Sequence, residues 1–300
     1  MQFQASASSG SLRPWLQIHF CVFLWGFTAI LGKAITLPAL PLVWWRMTLV
    51  TAALFLIPGF WRGLRRMTWR QFAIFSGIGV VVALHWLTFY GAIKLSNASV
   101  AATCMALSPV LISIVEPWIV GRSFDWRELI FGAAVVPGII LIVGGTPAGM
   151  RPGIAVGILS AFFVSIFGSL NKRFVQHAGA LTITGLEMGA GAVSLALASP
   201  FFPPTESAFV RPDPHDAVLL LTLALACTLL PFALSLVALR HLSAFATGLA
   251  VNMEPVYAIV LAILLFGEQH ELSAAFYLGV VIVFAVVFSH PFIAVRREQE

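Results

Sequence analysis

Glu254 is the first residue to explain. It is the one charged side chain in the run Ala244–Phe266, AFATGLAVNMEPVYAIVLAILLF. A carboxylate at the centre of an apolar segment costs several kcal/mol in a membrane, about 2.5–3.5 on insertion scales for Asp, unless it meets water, a partner or a proton. Three roles fit: binding a substrate ammonium, carrying a coupling proton, or standing as a buried protonated acid bonded to a neighbouring helix. The sequence leaves them open. Beside it stands Pro255, and an equivalent stretch upstream places Ser108-Pro109 in the same register. A mid-span proline frees a backbone carbonyl and permits a bend, so Pro109 and Pro255 are candidate hinges; a static kink is the simpler alternative.

A second cluster is His85, Trp86, Phe89 and Tyr90. On a helix His85 and Phe89 share one face, and Trp86 and Tyr90 the next. Such a wall suits an amino-acid side chain and its ammonium, through stacking and cation–π attraction. An interfacial aromatic belt would explain Tyr90 as well, though not His85, two turns inside the span. Trp25, Met105, Ser108, Phe163, Ser235 and Asn252 complete the candidate cavity residues, with Asn97, Thr103 and Asn171 behind them. Side chains of these types also serve helix packing. Glu116 lies close to a membrane face, where snorkelling or pairing with Arg122 is expected. Arg46 and Glu187 occupy matching places in the second and seventh spans, in opposite leaflets, so each is expected to bridge to protein or water rather than to the other. Gly153-x-x-x-Gly157 and Gly185-x-x-x-Gly189 predict close helix contacts.

No His-Glu-x-x-His, Gly-x-Ser-x-Gly or phosphate-cradling glycine loop is found, which argues against these enzyme classes and against direct ATP drive. No cofactor and no metal are expected. Cys21, Cys104 and Cys227 all lie in apolar segments, which disfavours a disulfide framework or zinc site.

The elements that must carry these residues are membrane helices. Hydrophobic residues make up 60% of the 300 and charged residues only 10%, against about 25% in soluble domains, and mean hydropathy is +0.97. Apolar runs of about 20 residues, each able to span a hydrocarbon core of about 30 Å, recur throughout. They predict spans over 15–34, 41–59, 70–91, 98–120, 126–144, 152–174, 180–199, 216–238, 244–266 and 272–292. The short alternating strands of a β-barrel are absent. No signal-peptide pattern precedes the first span, so it is expected to be retained.

The chain writes one unit twice. Setting Lys94 on Arg240 places Asn97 on Ser243, Ala98 on Ala244, Ser108-Pro109 on Glu254-Pro255 and Gly121 on Gly267 without a gap. The organisation expected is a tail (1–14), a first five-helix repeat (15–144), a linker (145–151), a second repeat (152–292) and a second tail (293–300). Five spans per repeat is an odd number, so the second repeat is inverted, the usual basis of alternating access. With the N-terminus in the cytoplasm, twelve of the seventeen lysines and arginines fall on the cytoplasmic side, four on the other, and Arg46 within a span. Both termini are then cytoplasmic. The formal charge of +5 thus reports topology, since the basic residues sit at helix ends and no nucleic-acid patch forms.

These motifs resemble the drug/metabolite transporter superfamily, specifically its EamA-type ten-helix exporters. The residues that carry the likeness are Trp25-Gly26 with Lys33, Ala92-Ile93-Lys94 and Ala238-Leu239-Arg240 leading into Asn97 and Ser243, and Ser108-Pro109 and Glu254-Pro255 followed by Gly121 and Gly267-Glu268. The chain departs from the commoner pattern at Arg122, opposite Glu268, and at Val164, opposite Trp25. Within the superfamily it looks most like inner-membrane exporters of amino acids, aromatic ones included. The resemblance implies a cavity between the halves, lined by the first, third, fourth, sixth, eighth and ninth spans.

The expectation is an all-α polytopic inner-membrane protein, not an enzyme, that exports amino acids or related small metabolites. Its partners are a small-molecule substrate and the lipid bilayer; the oligomeric state is not encoded, and a monomer suffices. Drugs, nucleosides or sugar derivatives are the alternative cargo. An intramembrane lipid-modifying enzyme using His85 and Glu254, or a non-transporting scaffold, would be the alternatives outside transport.

Overall fold

Ten apolar segments set the architecture, and among the described residues each expected span coincides with a helical one. The computed structural model describes residues 12–121, 123–124, 126–238, 250–251 and 253–295. Arg122, Arg240, Ser243, Asn252 and the ninth span's residues 244–249 lie outside the described residues. Helices α1 (Leu12–Ala34), α2 (Ala39–Phe55), α3 (Pro58–Leu64), α4 (Trp69–Leu95), α5 (Ala98–Met105), α6 (Ser108–Glu116) and α7 (Trp126–Gly145) form the first half. The second comprises α8 (Arg151–Phe174), α9 (Ala180–Ala198), α10 (Pro214–Ala224), α11 (Leu230–Ala238), α12 (Glu254–Phe266) and α13 (Ala274–Val295). No strand occurs among the described residues. Among the described residues, five helical segments are long and apolar enough to cross a membrane, seven when each bent pair counts as one span, and three shorter apolar helices accompany them.

Local chemistry explains the boundaries. Thr68 and Gln71 form a reciprocal capping box that starts α4, satisfying backbone donors that a helix start leaves without partners. Asn97 caps α5 and Asp213 caps α10 in the same way. Gly267, at φ 67°, ends α12 in the left-handed conformation that glycine adopts without a Cβ penalty.

Three spans are less regular than their hydropathy suggests. The second stops at Phe55 and turns by 93° into α3, with Pro58 in its first turn. The fourth is broken at Ala106–Leu107 and bends by 42°, so Pro109 opens α6 immediately after the break. The eighth carries a π-helical turn, Leu225–Leu229, between α10 and α11.

The halves interleave with two-fold correspondence. Exchanging α1 with α8, α2 with α9, α4 with α10–α11, α5–α6 with α12 and α7 with α13 maps the packing onto itself. Thus α4 on α8 answers α11 on α1, α4 on α9 answers α10 on α2, and α5 on α8 answers α12 on α1. The pairs α2–α9, α5–α12 and α7–α13 lie on the axis. Inversion shows in the ends that meet. The start of α5 (Ala98, Ser99) bonds Glu268, just beyond the end of α12, so α5 and α12 run antiparallel. Lys33, closing α1, joins this face, whereas its counterpart Lys172, closing α8, pairs with Glu116 at the far end of α6. The chain is an all-helical polytopic membrane protein built from two inverted repeats.

Glycines permit the closest approaches. A Cβ on Gly79 would stand 2.2 Å from the Glu187 carbonyl oxygen, and one on Gly185 2.5 Å from the Phe60 ring. Likewise, in the Gly153-x-x-x-Gly157 pair, a Cβ on Gly153 would stand 2.5 Å from Ser96 Oγ, and one on Gly157 2.8 Å from Cys104. Those two motifs therefore mark helix contacts, as their spacing suggests.

Candidate functional site

A narrow crevice of about 10 Å³, room for a single water, lies between the repeats. Its walls are Trp25, Thr28 and Ala29 of α1, Phe89 of α4, Ala102 and Met105 of α5, and Glu254, Pro255 and Ala258 of α12. Gly26 makes this wall possible: a Cβ there would lie 2.8 Å from Tyr257 Cβ, so α1 and α12 nearly touch beside Trp25 and Glu254. Glu254 sits in the first turn of α12, where the helix dipole favours a negative charge. Its carboxylate has no hydrogen-bond or ion-pair partner among the described residues.

Of the sequence-based candidates, Trp25, Phe89, Met105, Glu254 and the hinge candidate Pro255 meet at this cavity. The others take different places. His85 is buried, with Nδ1 at 3.0 Å from the Ser160 carbonyl oxygen and 2.9 Å from its hydroxyl. It ties α4 to α8 and packs beside Phe167. Trp86 and Tyr90 are also buried, so Tyr90 does not belong to an interfacial belt. Ser108 donates back across the break to the Met105 carbonyl that ends α5, at 2.6 Å, and Ser235 to the Phe232 carbonyl of its own helix at 3.0 Å. Phe163 is half-buried beside Phe162. Asn252 lies outside the described residues, and Pro109 stands in the first turn of α6, just past the break in the fourth span.

Arg46 holds the Trp86–Tyr90 face in place. Its guanidinium lies over Trp86, 3.7 Å from the ring centroid, a desolvated cation–π geometry. Nη1 donates to the Tyr90 hydroxyl and Nε to Thr228 Oγ1, each at 2.8 Å. Thr228 belongs to the π turn of the eighth span, so the irregular turn supplies the acceptor. Trp86 edges onto Phe232 at 6.5 Å, and Phe232 onto the cavity residue Trp25 at 6.0 Å. A continuous aromatic path thus joins the buried cation to the cavity wall. Glu187, the residue matching Arg46, accepts from Asn171 instead at 3.4 Å, and the two charges do not pair directly.

Polar ties close the Lys33 face. Glu268 is fully buried and accepts from Ala98 N at 3.0 Å, Ser99 N at 2.8 Å and Lys33 Nζ at 2.8 Å. Asn97 Nδ2 donates to Glu271 at 2.8 Å. Asp216 accepts from Thr36 N, Thr36 Oγ1 and Leu37 N within 3.1 Å, and Lys94 donates to the Ile35 carbonyl, so the loop after α1 is held from two sides. On the opposite face Lys172 pairs with Glu116, and Arg173 donates to the Ile119 carbonyl. Sequence reasoning identifies Lys33 and Glu268 only as motif residues. A charge placed just beyond a span was the available signal, but its partners lie some 170 or more residues away in sequence.

The comparisons agree with this geometry. No curated protein matches the chain. A solved structure titled only as the crystal structure of a protein is similar over 97% of this chain and 100% of its own, with a TM-score of 0.61 and 18% identity; that likeness concerns the fold. The EamA-like transporter family matches residues 15–144 and again residues 151–290. A chain with two family repeats, an inverted packing of those repeats and a cavity between them belongs to the EamA-like transporter family.

Proposed function

We propose that this protein exports amino acids or closely related amine-bearing metabolites, moving them by alternating access between its two repeats. The observation that carries the reading is the Glu254 carboxylate, set with no hydrogen-bond or ion-pair partner among the described residues beside Trp25 and Phe89, with the buried Arg46 charge its electrostatic neighbour. A substrate ammonium satisfies the carboxylate, and the two rings accept an apolar or aromatic side chain. Family membership supports membrane transport of a small molecule; the amino-acid class rests on the cavity's chemistry.

Orientation follows from the charge distribution. Arg13, Arg62, Arg65, Arg66, Arg70, Lys172 and Arg173 gather at the face where α8 ends, while Lys33, Lys94, Arg151 and Arg211 mark the other. The basic face is the cytoplasmic one by the positive-inside rule, which puts the Lys33 face outside and the start of α1 in the cytoplasm.

Counterflow in reconstituted vesicles tests the function. Labelled amino acids are expected to exchange, and Glu254→Gln is expected to lose at least tenfold in apparent affinity, the equivalent of about 1.4 kcal/mol. Flux confined to nucleosides, sugar derivatives or neutral drugs would refute the amino-acid class. Turnover of lipid without solute movement would refute transport.

A further inference from the structure

Two buried oxygens on the second repeat lack any donor: Oε1 of Glu187 and Oδ1 of Asn171. They belong to one pair, joined only by a long contact of 3.4 Å from Asn171 Nδ2 to Glu187 Oε2. Glu187 is 1% exposed. Among the described residues, nothing packed against it supplies a cation. On α4 the neighbour is the Gly79 backbone, and on α2 it is Met47, which fills the space beside Gly191. Arg46 is engaged with Trp86, Tyr90 and Thr228. From α3, Phe60 meets Gly185 and Gly63 meets Thr182 while Arg62 is exposed, and α11 carries no ionisable residue. On α8, Lys172 pairs with Glu116 and Arg173 with the Ile119 carbonyl. A carboxylate in such a place is strongly disfavoured.

We infer that the Glu187–Asn171 pair is a proton-binding site, separate from the substrate cavity. A proton on Glu187 turns one carboxyl oxygen into a donor. The Asn171 amide, whose oxygen and nitrogen are alike in shape, turns to present Oδ1, and both groups gain the missing partner. The site lies seven residues into α9, about 10 Å from its start at 1.5 Å per residue, on the face where α8 ends. Release therefore sends the proton to water on that face and leaves a carboxylate next to the residue preceding Lys172. That carboxylate competes with Glu116 for the Lys172 ammonium. Losing the proton loosens the tie between α8 and the end of α6, and regaining it restores the tie. Substrate at Glu254 and proton at Glu187 thus act on different places.

The proton site itself does not depend on the amino-acid reading; only its coupling to flux rests on transport. Infrared spectroscopy of the purified protein in lipid tests it directly. A protonated-carboxyl band is expected that is lost in Glu187→Gln, shifted in Asn171→Ala, retained in Glu254→Gln and abolished as the pH is raised. A spectrum without a Glu187 band, or a band unmoved by pH, overturns the site. Should Glu187→Gln fail to fold, the Asn171→Ala shift carries the same decision. In vesicles, Glu187→Gln is expected to lose the pH dependence of flux while keeping substrate affinity; an unchanged pH profile overturns the coupling. Failure of the amino-acid reading would appear instead as absent substrate binding with the infrared result intact.

Discussion

Glu268 has no exposed surface, yet both of its oxygens have donors, two of them the otherwise unpaired amides that begin α5. Removing the carboxylate strands those amides and leaves the Lys33 ammonium only its longer 3.5 Å contact with Glu271. Glu268→Ala is expected to cost about 3–5 kcal/mol, the usual penalty for breaking a buried pair by deleting one partner. Lys33→Ala should cost less, because Lys33 keeps about a quarter of its side chain exposed and the amides stay capped. Thermal unfolding in detergent checks the order, and equal losses would contradict this account. At this scale the sequence was only partly legible. It marked Glu254 because a lone acid in an apolar run is expensive wherever it points. It gave Arg46 no site role, because that role depends on Trp86, Tyr90 and a Thr228 made available by a π turn. His85 was conspicuous by type but serves α4–α8 packing, which no local pattern distinguishes from a cavity wall.

Between elements, glycine decides how near two helices can come. Gly79 and Gly77 stand two residues apart on α4. A methyl group at Gly79 collides with backbone of α9, whereas one at Gly77 meets nothing within 4 Å. Gly79→Ala is expected to cost about 1–3 kcal/mol through overpacking, and more if the backbones cannot separate. Gly77→Ala should be neutral or stabilising by up to about 1 kcal/mol, the helix-propensity difference. Denaturation of the two variants side by side checks this; a harmless Gly79→Ala would mean that α4 and α9 pack more loosely than described. Hydropathy located the spans because burial in lipid and burial in protein demand the same apolar residues. The interruptions were harder to read. Pro58-Gly59 marks the 93° turn into α3, but the break at Ala106–Leu107 arises inside an apolar run, where the neighbouring helices fix the bend. Pro109 signalled one of them and lies just past it.

For the molecule as a whole, the inverted repeat was legible because an odd number of spans reverses the second copy, and the paired motifs reveal the copying. Which end is closed was not legible, since closure joins residues from both repeats. The ties at the Lys33 face connect α1 and α5 of one half to the segment between α12 and α13 of the other, and Lys172 with Glu116 connects the halves at the opposite face. The two lysines end corresponding helices of an inverted pair, so rocking that opens either face must break the ties there while those at the other face remain. Cysteines at Asn97 and Glu271, joined by a short thiol cross-linker, should hold the Lys33 face shut. Vesicle flux is then expected to fall at least tenfold and to recover when a reducible linker is cleaved, with substrate binding from the opposite face retained throughout. Undiminished flux in the linked protein would mean that substrate passes without this face opening. The ties around Glu268 would then be structural, and alternating access would have to use another route between the repeats.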